Sequence, residues 1–216
     1  MTLAFRTDAD VELAAPRVAA HLAADGVLAY PTETVYGLGT APRDAAISRL
    51  AALKGRTEAK PFLLLVDGLE MVRAAGLALN PPARELARRF WPGPLTLVLG
   101  GGEGRLPDRL RGREGGIAVR WTSHRAVARL IAHLGHPLTS TSANLPGRPP
   151  APGPDAIEQL FAPAIADGTL LVLDGGVLGN VPPSTVVDCT GARPRLIREG
   201  AIPRAELRRL AGAMAP

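Results

Sequence analysis

The sequence predicts an α/β protein, a single domain (residues 1–216) on a twisted, mixed, open sheet with flanking helices. Three observations predict it. Helix-like and strand-like segments alternate without a strict strand–helix–strand beat, which argues for a mixed rather than an all-parallel sheet. A chain of 216 residues with 46% hydrophobic content can bury a substantial core. Its 24 glycines and 21 prolines stay below the level of low-complexity chains and instead supply tight turns.

In chain order, Pro16 fits the first turn of a helix running to Asp25, with Gly26 as its stop. "VLAYP" then reads as a strand, "PTET" as a turn and "VYGLGT" as a second extended piece. Ala45 to Leu53 carries Ile47, Leu50 and Leu53 at helical spacing and ends at Gly55. "FLLLV" reads as a buried strand, and Pro81 or Pro82 opens a helix to Phe90. "PLTLVLG" and "GIAVRW" are strands flanking a charged loop, and Ser123 is placed to cap a helix to Leu134. A short strand then runs into the loop of "HPLTSTSAN", and Pro154 starts another helix. "TLLVLDGG", "STVVDC" and "PRLIRE" are strands, followed by a last helix from about Pro203.

Composition also excludes. One cysteine, Cys189, cannot close an intramolecular disulfide, and with no leader-like start the expected compartment is the cytoplasm. Apolar runs such as Phe62 to Val66 are far shorter than the ~20 residues of a membrane span. The net charge of +5 invites a nucleic-acid reading, yet two Trp, two Tyr and four Phe leave few rings for base stacking. The glycine cluster Gly100 to Gly104 lacks the Lys-Ser/Thr of a phosphate loop. His133 and His136 have a metal-ligand spacing without further ligands, and Cys189 reads as a small buried hydrophobe.

Four polar islands remain, each beside an apolar strand or helix: "PTETVYGLG", "KGRTEAKP", "TSTSAN" and "PPSTVVD". The second holds Lys54 and Lys60, the only lysines in a chain that otherwise writes its cations as Arg. The third holds two of the chain's five serines and one of its three asparagines within six residues, so it is no ordinary loop. Polar groups at strand ends are where α/β folds build sites. Hydroxyls, amides and cations with few carboxylates suit an anionic substrate such as a nucleoside triphosphate, acting by charge neutralisation and positioning rather than by a protein nucleophile.

The islands, with "RFWPGPLTLVL" (Arg89 to Leu99) and "AVR" (Ala118 to Arg120), occur in the order of the YrdC-like threonylcarbamoyl-AMP synthase family, which the chain resembles from Pro31 to about Gly200. The resemblance implies a YrdC-like fold of the short, single-domain form. It implies synthesis of threonylcarbamoyl-AMP from L-threonine, bicarbonate or CO2 and ATP, with release of pyrophosphate, for threonylcarbamoyladenosine beside the anticodon of tRNA. ATP is then a substrate and Mg2+ its companion. The proteins that transfer the group to tRNA are the expected partners, and tRNA itself is met indirectly or weakly.

Carried over, Lys54, Arg56, Ser142 and Asn144 resemble the catalytic set, with Lys54 directed at the triphosphate. Arg56, Lys60, Ser142, Pro150 and Arg198 resemble ATP contacts, and Thr34, Leu65, Arg120, Ser140 and Ser184 threonine contacts, with Arg120 as the fork for the carboxylate. No metal ligand is implied. Departures are Leu65 where many members have His, Thr57 where many have Pro, and Pro150 in place of a small polar residue. Two other functions fit the chain: an RNA-binding YrdC-like protein, and a paralogue with a different carbamoyl-adenylate chemistry.

Overall fold

Alternation of side chains along the strands decides the architecture. The computed structural model describes residues 1–55, 61–112 and 114–210. Among these the strands are β1 (Thr2–Ala4), β2 (Val27–Tyr30), β3 (Gly37–Gly39), β4 (Leu63–Val66), β5 (Leu77–Ala78), β6 (Leu95–Gly101), β7 (Ile117–Trp121), β8 (Leu138–Ser142), β9 (Leu170–Asp174), β10 (Thr185–Asp188) and β11 (Arg195–Arg198). The helices are α1 (Asp8–Ala23), α2 (Asp44–Leu53), α3 (Leu69–Ala74), α4 (Pro81–Phe90), α5 (Arg125–Leu134), α6 (Pro154–Leu160), α7 (Ala162–Ala166) and α8 (Arg204–Leu210).

One mixed sheet runs β1-β9-β2-β3-β8-β4-β7-β6-β10-β11, with β5 paired to β6 beside this path. Pairings β1–β9, β2–β9, β4–β7 and β6–β10 are parallel, and the others antiparallel. The two faces bury different cores. On one, Val27, Ala29, Leu38, Leu64, Val66, Leu97 and Val119 pack against Ile47 and Leu50 of α2 and Ala83, Leu86 and Phe90 of α4. On the other, Leu28, Tyr30, Leu65, Leu138, Leu171 and Leu173 pack against Val11, Val18 and Leu22 of α1 and Val127, Leu130 and Ile131 of α5.

Helices α1 and α5 cover only part of that second face. In β6, β7 and β10 the residues Leu97, Val119 and Val187 enter the first core, so their neighbours Thr96, Ala118, Arg120 and Val186 point to the opposite side, beyond α1 and α5. This bare stretch of sheet positions the site.

Several element predictions need correction. The first helix begins at Asp8, not at Pro16, because Thr7 and Asp10 form a capping box: Thr7 Oγ1 accepts from Asp10 N (3.1 Å) and Asp10 Oδ2 from Thr7 N (2.8 Å). Pro16 lies inside that helix. Ser123 does not cap α5; the N-cap is His124, with no side-chain bond to the helix. Strands β1 and β5 and helices α3 and α7 were not predicted; each has six residues or fewer, too short for a periodic signal. The remaining predicted strands and helices occur within a few residues of their expected limits.

Candidate functional site

A cavity of about 410 Å³ sits on the bare sheet face. Its floor is Gly37, Leu63, Ser140, Ala118, Arg120, Thr96 and Val186, drawn from six strands. Its walls are Thr32, Thr34 and Val35 after β2, Asn144 and Pro150 after β8, Pro183 and Ser184 before β10, and Arg198 on β11. A second cavity of about 480 Å³ adjoins it, sharing Thr34, Val35, Pro150 and Pro183 and extending over Leu178 to Pro182.

The floor is thin where glycine makes it so. A Cβ on Gly37 would lie 3.1 Å from Ser140 Oγ and 3.2 Å from the Tyr30 ring. On Gly39 it would lie 1.8 Å from the Thr139 carbonyl oxygen, so the close approach of β3 to β8 requires glycine there.

The wall after β2 is a hydroxyl turn. Thr32 Oγ1 accepts from the N–H of Thr34 and of Val35 (both 3.2 Å) and donates to Val35 O (2.7 Å); Thr34 Oγ1 pairs with Thr32 Oγ1 (3.1 Å) and accepts from Arg120 Nη1 at 3.1 Å. Arg120 is 4% exposed, and its Nε is buried without an acceptor although the residue lines the cavity. Arg198 donates to Ser184 O (2.8 Å), and Ser184 Oγ pairs with Thr96 Oγ1 (2.9 Å). Burial and then the nearby Arg120 charge push the Arg198 guanidinium below its ordinary value. Two cations facing one cavity whose described lining has no carboxylate make an anion site.

Lys54 takes a different place from the one expected. It is 3% exposed, and its Nζ donates to Ser142 O (2.7 Å), Asn144 O (2.5 Å) and Asn144 Oδ1 (2.7 Å). Its ammonium is turned into the signature loop and holds the loop's carbonyls; it does not line the cavity. Asn144 is used in the same way: Oδ1 also accepts from Ser142 Oγ (2.7 Å) and Nδ2 donates to Arg148 O (2.6 Å). Ser142 and Pro150 do line the cavity.

Thr34, Arg120, Ser140, Ser184, Ser142, Asn144, Pro150 and Arg198 are thus brought together as expected. Leu65 is not. It is fully buried in the core beneath α1 and α5, and Leu63, two residues earlier on the same face of β4, reaches the cavity instead. Arg56 and Lys60 lie outside the described residues, as does Thr57. Sequence reasoning missed Thr96, Ala118 and Val186, whose signal is the alternation in "PLTLVLG", "GIAVRW" and "STVVDC". Among the described residues no group of three or more His, Cys, Asp or Glu is placed to hold a metal. His133 pairs with Glu12 at the surface, and burial pushes the Cys189 thiol up to about 12.

Fold and site together define an open-sheet α/β protein with an anion-binding cavity on the uncovered sheet face. The family model for Sua5, YciO and YrdC proteins, which carries the description telomere recombination, matches residues 20–200, and the chain belongs to this family. A threonylcarbamoyl-AMP synthase of Thiobacillus denitrificans is 41% identical over 178 residues, 82% of this chain and 92% of that one. One of Pyrococcus abyssi is 35% identical over 198 residues, 91% of this chain and 57% of that longer one. The crystal structure of P. abyssi Sua5 complexed with L-threonine superposes with a TM-score of 0.86 at 30% identity, over 99% of this chain and 62% of that one. Escherichia coli YciO gives 0.81 at 26% identity, over 96% and 98%.

Proposed function

We infer that this chain is a threonylcarbamoyl-AMP synthase, joining L-threonine, bicarbonate or CO2 and ATP into threonylcarbamoyl-AMP and pyrophosphate for the modification of tRNA. The observation that carries the reading is Arg120, a guanidinium on the cavity floor whose hydrogen bond goes to a neutral hydroxyl, that of Thr34. An amino acid carboxylate in the cavity would pair with its charge, and the planar fork suits it. Relatives that carry the synthase name, and a solved relative holding L-threonine, support the same substrate.

In this reading Thr34, Ser140 and Ser184 surround the amino acid, with Leu63 beneath it. Ser142, Pro150 and Arg198 face the nucleotide, and the family resemblance assigns Arg56 and Lys60 the same substrate. The threonine amine adds to the one-carbon unit, and an oxygen of the resulting carbamate attacks the α-phosphorus as pyrophosphate leaves. Bringing carbamate and triphosphate together is opposed by charge, and Arg120 and Arg198 offset that repulsion in a partly dehydrated pocket. Carboxylate donors for Mg2+ are lacking among the described lining residues, so the ion is best carried by the triphosphate as MgATP. Transfer to tRNA falls to partner proteins, and tRNA contacts this chain weakly or not at all.

The test is pyrophosphate release from MgATP. It should require both L-threonine and bicarbonate, because the attacking oxygen belongs to a carbamate that neither forms alone. Serine should be weaker by about 1–3 kcal/mol, the usual worth of one methyl in a pocket. Release that ignores threonine overturns the reading. Release with another amino acid marks a different carbamoyl-adenylate chemistry, and RNA binding without any release marks a binding protein.

A further inference from the structure

Behind Arg120 lies a group that the cavity does not expose. Glu33, in the turn after β2, places Oε1 3.7 Å from Arg120 Nη1. Its other oxygen accepts from Thr122 Oγ1 at 2.5 Å, and Thr122 Oγ1 in turn accepts from the His124 N–H at 3.1 Å. Thr122 is 1% exposed, the Glu33 side chain 15%, and Glu33 Oε1 is buried with no hydrogen-bond partner. Glu33 is absent from the described cavity lining.

We infer that Glu33 is a positioning residue, which holds the Arg120 guanidinium from behind so that its free N–H groups stay aimed at the amino acid carboxylate. This rests on the reading that Arg120 receives that carboxylate. A buried guanidinium needs a compensating charge, since removing an ion from water costs several kcal/mol. A bidentate carboxylate would supply the charge but occupy the fork. Glu33 is fixed by Thr122 at a distance that gives compensation without a hydrogen bond, and Thr34 supplies a single neutral tether. Without Glu33, the repulsion from Arg198, a second cation lining the same cavity, acts on a guanidinium with one tether.

The sign of one change tests this. Glu33→Gln keeps an oxygen for Thr122 and deletes the charge. If Glu33 were only a negative charge near the carboxylate site, its removal would lower the KM for threonine. As a positioning residue its loss should raise that KM about tenfold, the scale of one charge-assisted contact. The KM for ATP should stay within about twofold, and in an Arg120→Lys background the same change should add less than about twofold, because the fork is already gone. A threonine KM that is unchanged or lower, an equal rise in both KM values, or additivity with Arg120→Lys overturns the inference. Arg120→Lys alone separates the two levels. If it leaves the threonine KM untouched, the carboxylate reading falls and the inference with it; if it raises that KM while Glu33→Gln does not, only the inference falls. Thr122→Val releases Glu33 without altering charge and serves if Glu33→Gln fails to fold. It should raise the threonine KM about threefold, a fraction of the full contact, and no rise there also overturns the inference.

Discussion

Replacing Lys54 by Met keeps length and helix propensity while removing the ammonium, and its consequence follows from what that ammonium touches. Three carbonyl oxygens of the signature loop lose a donor at 2.5 to 2.7 Å. A buried acceptor left unpaired costs about 1–3 kcal/mol. Asn144 Oδ1 keeps its bond from Ser142 Oγ, and solvent from the adjoining cavity reaches part of the loop, so the sum should settle at about 3–5 kcal/mol rather than at three full penalties. For a chain of this size each kcal/mol lowers the midpoint by about 2–4 °C, which gives a fall of roughly 6–20 °C. Thermal unfolding followed by circular dichroism, with urea titration for the free energy, measures it. If Lys54 instead served the triphosphate directly, Lys54→Met would raise the KM for ATP and leave the unfolding midpoint in place. That result would refute the clamp.

Arg120→Lys keeps the charge and loses the fork, so the KM for threonine should rise by tenfold or more, the equivalent of about 1.5–3 kcal/mol, in a pyrophosphate-release titration. Gly37→Ala pushes a methyl toward Ser140 and Tyr30; the protein should fold, with a loss of about 1–3 kcal/mol and weaker threonine use. Gly39→Ala drives its methyl into the Thr139 carbonyl and should yield little soluble protein on expression. Asp10 is held below its ordinary value by the N–H groups of Arg6 and Thr7, so its contribution is complete above the unfolded aspartate range and fades as pH falls through the lower folded value. Asp10→Asn should therefore be less stable than the parent at neutral pH, and the two urea midpoints should converge in acid.

The sheet and most helices were legible because strands such as Leu170–Asp174 are short apolar runs between turn residues, and helices such as Asp44–Leu53 state their period locally. Helix α1 was misjudged at its start because Pro16 is a strong punctuation mark, while the Thr7–Asp10 box that sets the boundary is quiet in sequence. The site's membership was legible through separated motifs, but not the direction in which each side chain points. Leu63 and Leu65 share a strand face, and only the limit of α1 and α5 decides which of them meets solvent. Lys54 stands at the end of α2, where a sequence cannot show whether an ammonium turns outward to a phosphate or inward to carbonyls. Glu33 gave no signal because its role needs Thr122, 89 positions away.

The cavity floor and the first core are opposite faces of the same strands: Ala118 and Arg120 alternate with Ile117 and Val119, and Thr96 with Leu95 and Leu97. A one-residue slip in any of these strands would exchange floor for core. Substrate preference is therefore hard to evolve from the floor, where each trial also tests stability, and easier to evolve from the walls at residues 32–35, 143–150 and 178–183. A mutational library confined to those walls should keep a higher soluble fraction than one of equal size on the floor, and altered amino acid use should be recovered from it more often.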